Sequence, residues 1–273
     1  MESNSIGTDY SRFVPWEKLD KIATENAESY KTAYPFAHGV FDNIFEPKIL
    51  DKVIQEFEEG DKKWQSFEND YERKKQMNRD LSLGPVTRAL IHNLNSAPFL
   101  EFLEKLTGIC GLIADPYLHG AGLHKIERGG KLGVHVDFNG HKRMNVYRRL
   151  NVLIYLNKDW RPEWGGDFQL WSNDKLTCEK SVPPLFNRMA IFSTTANSFH
   201  GHPEPLQCPE DRKRISLALY YYTANDHGPQ RKKLHSTLFL NERGKAEQIN
   251  KPNGILHRIK GLFIDNLRGL KKT

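Results

Sequence analysis

The chain has no uninterrupted apolar run of about 18 residues, the length that a membrane-spanning helix needs, so a transmembrane segment is not expected. Its opening residues, MESNSIGTDYSRFVPWEK, lack the basic-then-apolar pattern of a secretory leader. Cysteine is scarce. Cys110, Cys178 and Cys208 are an odd, scattered set without a CxxC pair. They fit reduced thiols in a cytoplasmic protein better than a disulfide frame or a zinc finger. Internal repeats and low-complexity tracts are missing too. The net charge of +6 slightly favours acidic partners. With no RNA-recognition aromatic motif, helix-turn-helix pattern or zinc knuckle, specific nucleic-acid binding is not expected.

What is present suits one domain with a sizeable core: 273 residues, of which 38% are hydrophobic and 11% aromatic. EPKILDKVIQEFEEGDKK carries Ile49, Leu50, Val53, Ile54 and Phe57 at helical spacing and stops at Gly60; SAPFLEFLEKLTG repeats the pattern and stops at Gly108. Residues 1–110 therefore read as a helix-rich support. From about 117 to 224 the chain changes character. GLHKIE, LGVHVDF, RRLNVLIYLN, GGDFQLW, MAIFST and RISLALYYYT are strand-like runs parted by Gly, Pro, Asn and Asp. The reading is mainly β with flanking helices, a cupin-like jelly roll over 111–224. Residues 225–273 then supply a polar loop and a basic, amphipathic C-terminal helix, with Ile255, Leu256, Ile259, Leu262, Phe263 and Leu267 on one stripe. Such a stripe docks on the domain, on a second subunit of a homodimer, or on a membrane surface.

Within GVHVDFN, strand alternation sends His135 and Asp137 to one side and Val134, Val136 and Phe138 to the other. An HxD pair is weak by itself. His200, after the strand-like run RMAIFST, supplies a second imidazole, with His202 as the alternate. Two imidazoles and one carboxylate on one face of a metal leave three positions open, as in non-haem Fe(II) sites that activate dioxygen. Zinc sites fill four positions or three plus a water, and no fourth ligand stands out.

In RKRISLALYYYT, Arg214, Ser216, Ala218 and Tyr220 share a face, whereas Lys213 falls in phase with the apolar residues. A guanidinium fork beside a hydroxyl suits one end of a dicarboxylate. In RRLNVLIYLN, Leu150, Val152, Ile154 and Leu156 form an apolar face, and Arg149, Asn151, Leu153 and Tyr155 the mixed face of a lined cavity.

GGKLGVHVDFN, RRLNVLIYLN, WGGDFQLW, FHGHPEPL and RKRISLALYYYT, in this order, resemble the 2-oxoglutarate- and Fe(II)-dependent dioxygenases, in particular the prolyl-4-hydroxylase-like branch with its bacterial proline hydroxylases. The resemblance covers 117–224, and YPFAHGVFDNIFEPKILDKVIQEF looks like the usual lead-in. It implies a double-stranded β-helix, with His135, Asp137 and His200 as iron ligands and Arg214, assisted by Ser216, on the distal carboxylate of 2-oxoglutarate. Asn151 and Tyr155 fall on a strand that commonly lines the cosubstrate pocket. Ascorbate enters as a reductant. One departure is Ile126, which stands about where many relatives carry a tyrosine, with His124 or Lys125 as substitutes. Because related halogenases replace the carboxylate, Asp137 favours hydroxylation or desaturation.

The implied reaction hydroxylates an unactivated C–H bond of a small-molecule or peptide substrate, such as free or peptidyl proline or a sugar, and releases succinate and carbon dioxide. Arg143, Arg148, Trp160 and Trp164 in the flanking loops are candidate substrate contacts against a background of surface charge and loop packing. Two other readings stand beside it: a cupin-like metal-binding jelly roll without oxygenase activity, and an adaptor that works through the C-terminal helix.

Overall fold

The computed structural model describes residues 13–59, 64–78, 83–172, 174, 177–225, 234–241 and 244–248. The N-terminal part runs α1 (Trp16–Lys31), β1 (His38–Asp42), α2 (Pro47–Glu58), β2 (Gln65–Phe67), β3 (Glu72–Asn78), α3 (Pro85–Leu94) and α4 (Ala97–Thr107). Next come β4 (Ile113–Ala114), β5 (Gly122–Val136), β6 (Gly140–His141), β7 (Val146–Tyr155), β8 (Phe168–Trp171) and β9 (Cys178–Val182). β10 (Arg188–Ser193), β11 (His200–His202), β12 (Arg214–Thr223), β13 (Leu238–Leu240) and β14 (Ala246–Gln248) complete the described chain.

The strands join antiparallel in the order β1-β10-β7-β12-β5-β11-β8-β9, a sheet curled into a half-barrel of jelly-roll type. Both quoted helical patterns form. α2 buries Leu50, Val53 and Phe57, and α4 ends on Gly108 in the left-handed conformation (φ 74°). These helices cover the outer face of the half-barrel. Leu150, Val152 and Ile154 of β7 and Leu217, Leu219 and Tyr221 of β12 are buried in one cluster with Leu19, Phe99 and Leu103. Each such side chain contributes about 1.5–3 kcal/mol on leaving water, so neither layer is independent of the other. Tyr221 adds a hydrogen bond from its hydroxyl to Leu94 O at 2.7 Å.

Besides α1–α4, the first 110 residues supply β1 to one edge of the sheet and the β2–β3 hairpin to β5. Two sequence expectations need correction. GLHKIE and LGVHVDF are one 15-residue strand, not two. Gly129 (φ 75°) lies inside it, and its N–H donates to Leu206 O at 2.8 Å, so the strand passes from β12 as neighbour to β11 without a break. The region expected to be a polar loop after 224 carries the β13–β14 hairpin, and β13 pairs with the end of β5. The C-terminal stripe at 255–267 lies outside the described residues.

Asn187 ties the helical layer to the barrel. Its amide accepts from Phe45 N–H at 2.9 Å and donates to Phe45 O at 2.7 Å, fully buried and at positive φ (59°). Asn187→Ala orphans two buried backbone groups, each worth about 1–3 kcal/mol. A loss of about 2–4 kcal/mol in urea denaturation is expected, with the curled sheet retained by circular dichroism.

Candidate metal centre

His135 is the penultimate residue of β5, Asp137 follows the strand, and His200 opens β11. The antiparallel register sets His200 directly opposite His135. This close pairing depends on Gly201: a Cβ there would meet Gly133 O at 2.8 Å. All three candidates are buried. His135 Nδ1 lies 2.8 Å from Gly133 O, and His200 Nδ1 lies 2.8 Å from Ser198 O. A carbonyl only accepts, so each Nδ1 holds the proton and each Nε2 offers its lone pair. Nε2 of His135 is 3.7 Å from Asp137 Oδ1, and that of His200 is 3.4 Å from Oδ2. One donor atom from each residue falls within 4.8 Å of the others. Burial and the neighbouring His135 push the His200 imidazolium down to about 3, so the ring is neutral and ready to coordinate. Two oriented neutral nitrogens and a carboxylate oxygen fit a divalent iron. His202 is also buried, but it pairs with Leu132 beyond a register shift and stays outside this cluster.

Burial opposes ionisation of Asp137 more strongly than any single neighbour favours it, yet the Arg148 guanidinium and the two histidines together outweigh burial and hold the carboxyl well below the usual carboxylate range. Arg148 Nη2 lies 3.1 Å from Asp137 Oδ2; Asn151 Nδ2 donates to the same oxygen at 2.7 Å, and Arg148 Nε donates to Asn151 Oδ1 at 2.8 Å. The guanidinium is stacked 3.4 Å from the Tyr220 ring centroid and 4.3 Å from that of Phe138. Burial raises the Tyr220 phenol to about 12, so it stays protonated. Arg148 is thus no loop contact. Opposite Tyr221 and Tyr222, β7 carries one extra residue, Arg149, and this bulge breaks the alternation that had placed Arg149 rather than Arg148 on the inner face. The signal lay in the partner strand, beyond the reach of periodicity.

Arg214, Ser216 and Tyr220 share the inner face of β12 with Tyr155 and Asn151 opposite them on β7. Arg214 Nε donates to Gly166 O at 2.6 Å, and Nη2 lies 3.4 Å from the Tyr155 hydroxyl. Tyr155 packs with Phe168 and Phe192, whose rings lie 5.7 and 4.7 Å from that of His200. The guanidinium end and the histidine end therefore border one interior. Ile126 does stand opposite Arg214, and His124 faces Ser216 on this side, whereas Lys125 turns outward over the Trp64 ring at 4.4 Å. The phenol beside Arg214 comes from β7. Trp160 packs with Ile126, Leu206 and Cys208, Trp164 lies edge-on to it, and Arg143 covers Tyr117.

A cavity of about 260 Å³ opens on His135 and Asp137, walled by Phe67, Tyr220, Thr237 and Phe239. Phe239 of β13 lies 5.2 Å from the His135 ring, a wall the sequence reading missed because the pairing is long-range. A roomier hollow of about 390 Å³, behind Lys125 and Ile215, borders none of the three ligand candidates.

Residues 121–222 match the sequence model of the 2OG-Fe(II) oxygenase superfamily. That stretch is a 2OG-Fe(II) oxygenase domain. Among solved structures, the oxygenase is similar to a Trichoplax adhaerens prolyl hydroxylase in complex with a hypoxia inducible factor peptide (TM-score 0.55, 15% identity, 76% of this chain and 91% of that one). It is similar to a Pseudomonas putida prolyl-4-hydroxylase (0.51, 14%, 74% and 99%). It is also similar to HygX from Streptomyces hygroscopicus with nickel, 2-oxoglutarate and hygromycin B bound (0.52, 14%, 84% and 96%). At these identities the likeness speaks for the fold. Fe(II) and 2-oxoglutarate are the oxygenase's cofactors.

Asn151 offers the cleanest test of how the carboxylate is held, because removing Arg148 would also remove a charge that repels a cation. Asn151→Ala is expected to weaken Mn(II) binding about 10- to 100-fold, read by paramagnetic resonance titration. Unchanged affinity would mean that the backbone alone orients Asp137.

Proposed function

We propose that His135, Asp137 and His200 hold the iron, that Arg214 with Tyr155 and Ser216 anchors the far carboxylate of 2-oxoglutarate, and that the enzyme hydroxylates an aliphatic C–H bond of a small molecule or peptide. The observation that carries this reading is the convergence of two backbone-anchored imidazoles on a buried carboxylate. When bound, iron and cosubstrate supply dioxygen activation coupled to release of succinate and carbon dioxide.

The protein's own contribution is binding, orientation and exclusion of water. His135 and His200 present unprotonated Nε2 atoms in a fixed direction. Arg148 keeps Asp137 ionised, and in this reading Asn151 orients that carboxylate rather than the cosubstrate. Arg214, steered by Gly166 O and the Tyr155 hydroxyl, presents its remaining N–H groups to an anion. Phe138, Phe168, Phe192 and Phe239 line the approach and keep water away. A cupin-like binding protein would need the ligands but no guanidinium at the inner end, and Arg214 favours the oxygenase. The free thiols Cys110, Cys178 and Cys208 support a cytoplasmic location; no described helix is long and apolar enough to cross a membrane.

Protein supplied with Fe(II), ascorbate and 2-oxoglutarate should form succinate, and a screen by mass spectrometry should show a product heavier by one oxygen atom. Asp137→Ala is expected to abolish turnover. Arg214→Met should raise the KM for 2-oxoglutarate about 100-fold, the loss of a charge-assisted pair, with Mn(II) affinity unchanged. Metal-loaded protein that cannot bind 2-oxoglutarate would favour the cupin-like reading.

A further inference from the structure

Beside Asp137 lies a second cavity of about 360 Å³, which the proposed chemistry leaves without an occupant. It runs from Asp137 and Arg148 past Asn139, Arg149 and Thr194 to His235. Asp137 is the sole carboxylate among its described lining residues, and it is already engaged by Arg148 and Asn151. The rest of the polar lining is cationic, imidazole, amide or hydroxyl, with Ser193 and Thr195 adding to Thr194. Thr194 Oγ1 is buried without a hydrogen-bond partner, a group that a ligand oxygen would satisfy. The rim is held in place: His235 N–H donates to Asn139 Oδ1 at 2.7 Å, and Asn139 N–H donates back to His235 O at 3.4 Å. Asp137 and Phe138 line this cavity and the 260 Å³ one, so a molecule spanning both would cross in front of the metal ligands.

We infer that this cavity receives the anionic end, a carboxylate or phosphate, of a small hydroxylated or amino-acid-like substrate, and that Arg149 is the specificity-determining cation. The inference rests on the oxygenase reading of the adjoining trio. An uncharged mid-chain peptide would offer this lining only carbonyl oxygens, weaker acceptors than an anion.

The test uses the full chain. Metal-free protein in chelator is titrated calorimetrically with inorganic phosphate and, separately, with acetate at low ionic strength. Saturable binding of at least one anion is expected, weakened about tenfold in Arg149→Gln and restored in large part in Arg149→Lys. Thr194→Val, which preserves shape, should weaken it by a smaller factor, and Arg212→Gln, at the separate 390 Å³ hollow, should leave it unchanged. Absence of binding by both anions, or equal binding by Arg149→Gln, would overturn the inference. In parallel, Mn(II)-loaded wild type is titrated with 2-oxoglutarate. If that binding persists while the anions fail, only the substrate class is wrong; if it is lost, the oxygenase reading itself falls.

Discussion

Asp137 carries a negative charge where little water reaches it, and a lone buried carboxylate would simply take up a proton. It stays ionised because a permanently charged guanidinium lies against it and an amide donates to the same oxygen. Much of the centre follows from that constraint. The guanidinium must itself be buried, which calls for the Tyr220 and Phe138 rings packed against it and for the β7 bulge that turns Arg148 inward. A metal then meets a carboxylate already charged and aimed, and two imidazoles already in the coordinating tautomer.

The fold delivers these groups through one long strand. β5 pairs with β12 along its first half and with β11 along its second, so the face that presents Ile126 and His124 to Arg214 and Ser216 ends at His135. The helices contribute no proposed ligand. They cover the apolar outer face of β7 and β12, and that burial frees the opposite face of the same strands to be polar.

Much of this was legible in the residues. Alternation in RKRISLALYYYT predicted the shared face of Arg214, Ser216 and Tyr220. That in GVHVDFN set His135 with Asp137, but Phe138, expected on the opposite side, lies past the end of β5 and lines the same cavity as both. The helical spacing before 110 predicted α2 and α4. Periodicity failed wherever an element depends on a distant partner. The extra residue in β7 is defined by its register against Tyr221 and Tyr222, so Arg148 read as a loop charge. The glycines at 129 and 130 read as a break, although Gly129 only bends a continuous strand. The short β13 has too few residues to show alternation and exists by pairing with His135 and Val136. Asn151 fell on the expected face, but its partner across the barrel could not be read from spacing.

The central claim is that one metal sits between His135, Asp137 and His200 with a diacid stretched inward to Arg214. A crystal structure of the full chain, grown without oxygen in the presence of Fe(II) and 2-oxoglutarate, tests it most directly. The account predicts iron bound to both Nε2 atoms and the Asp137 carboxylate, with the far carboxylate of 2-oxoglutarate against Arg214 and the Tyr155 hydroxyl. Iron held by other residues, or a cosubstrate remote from Arg214, would contradict it.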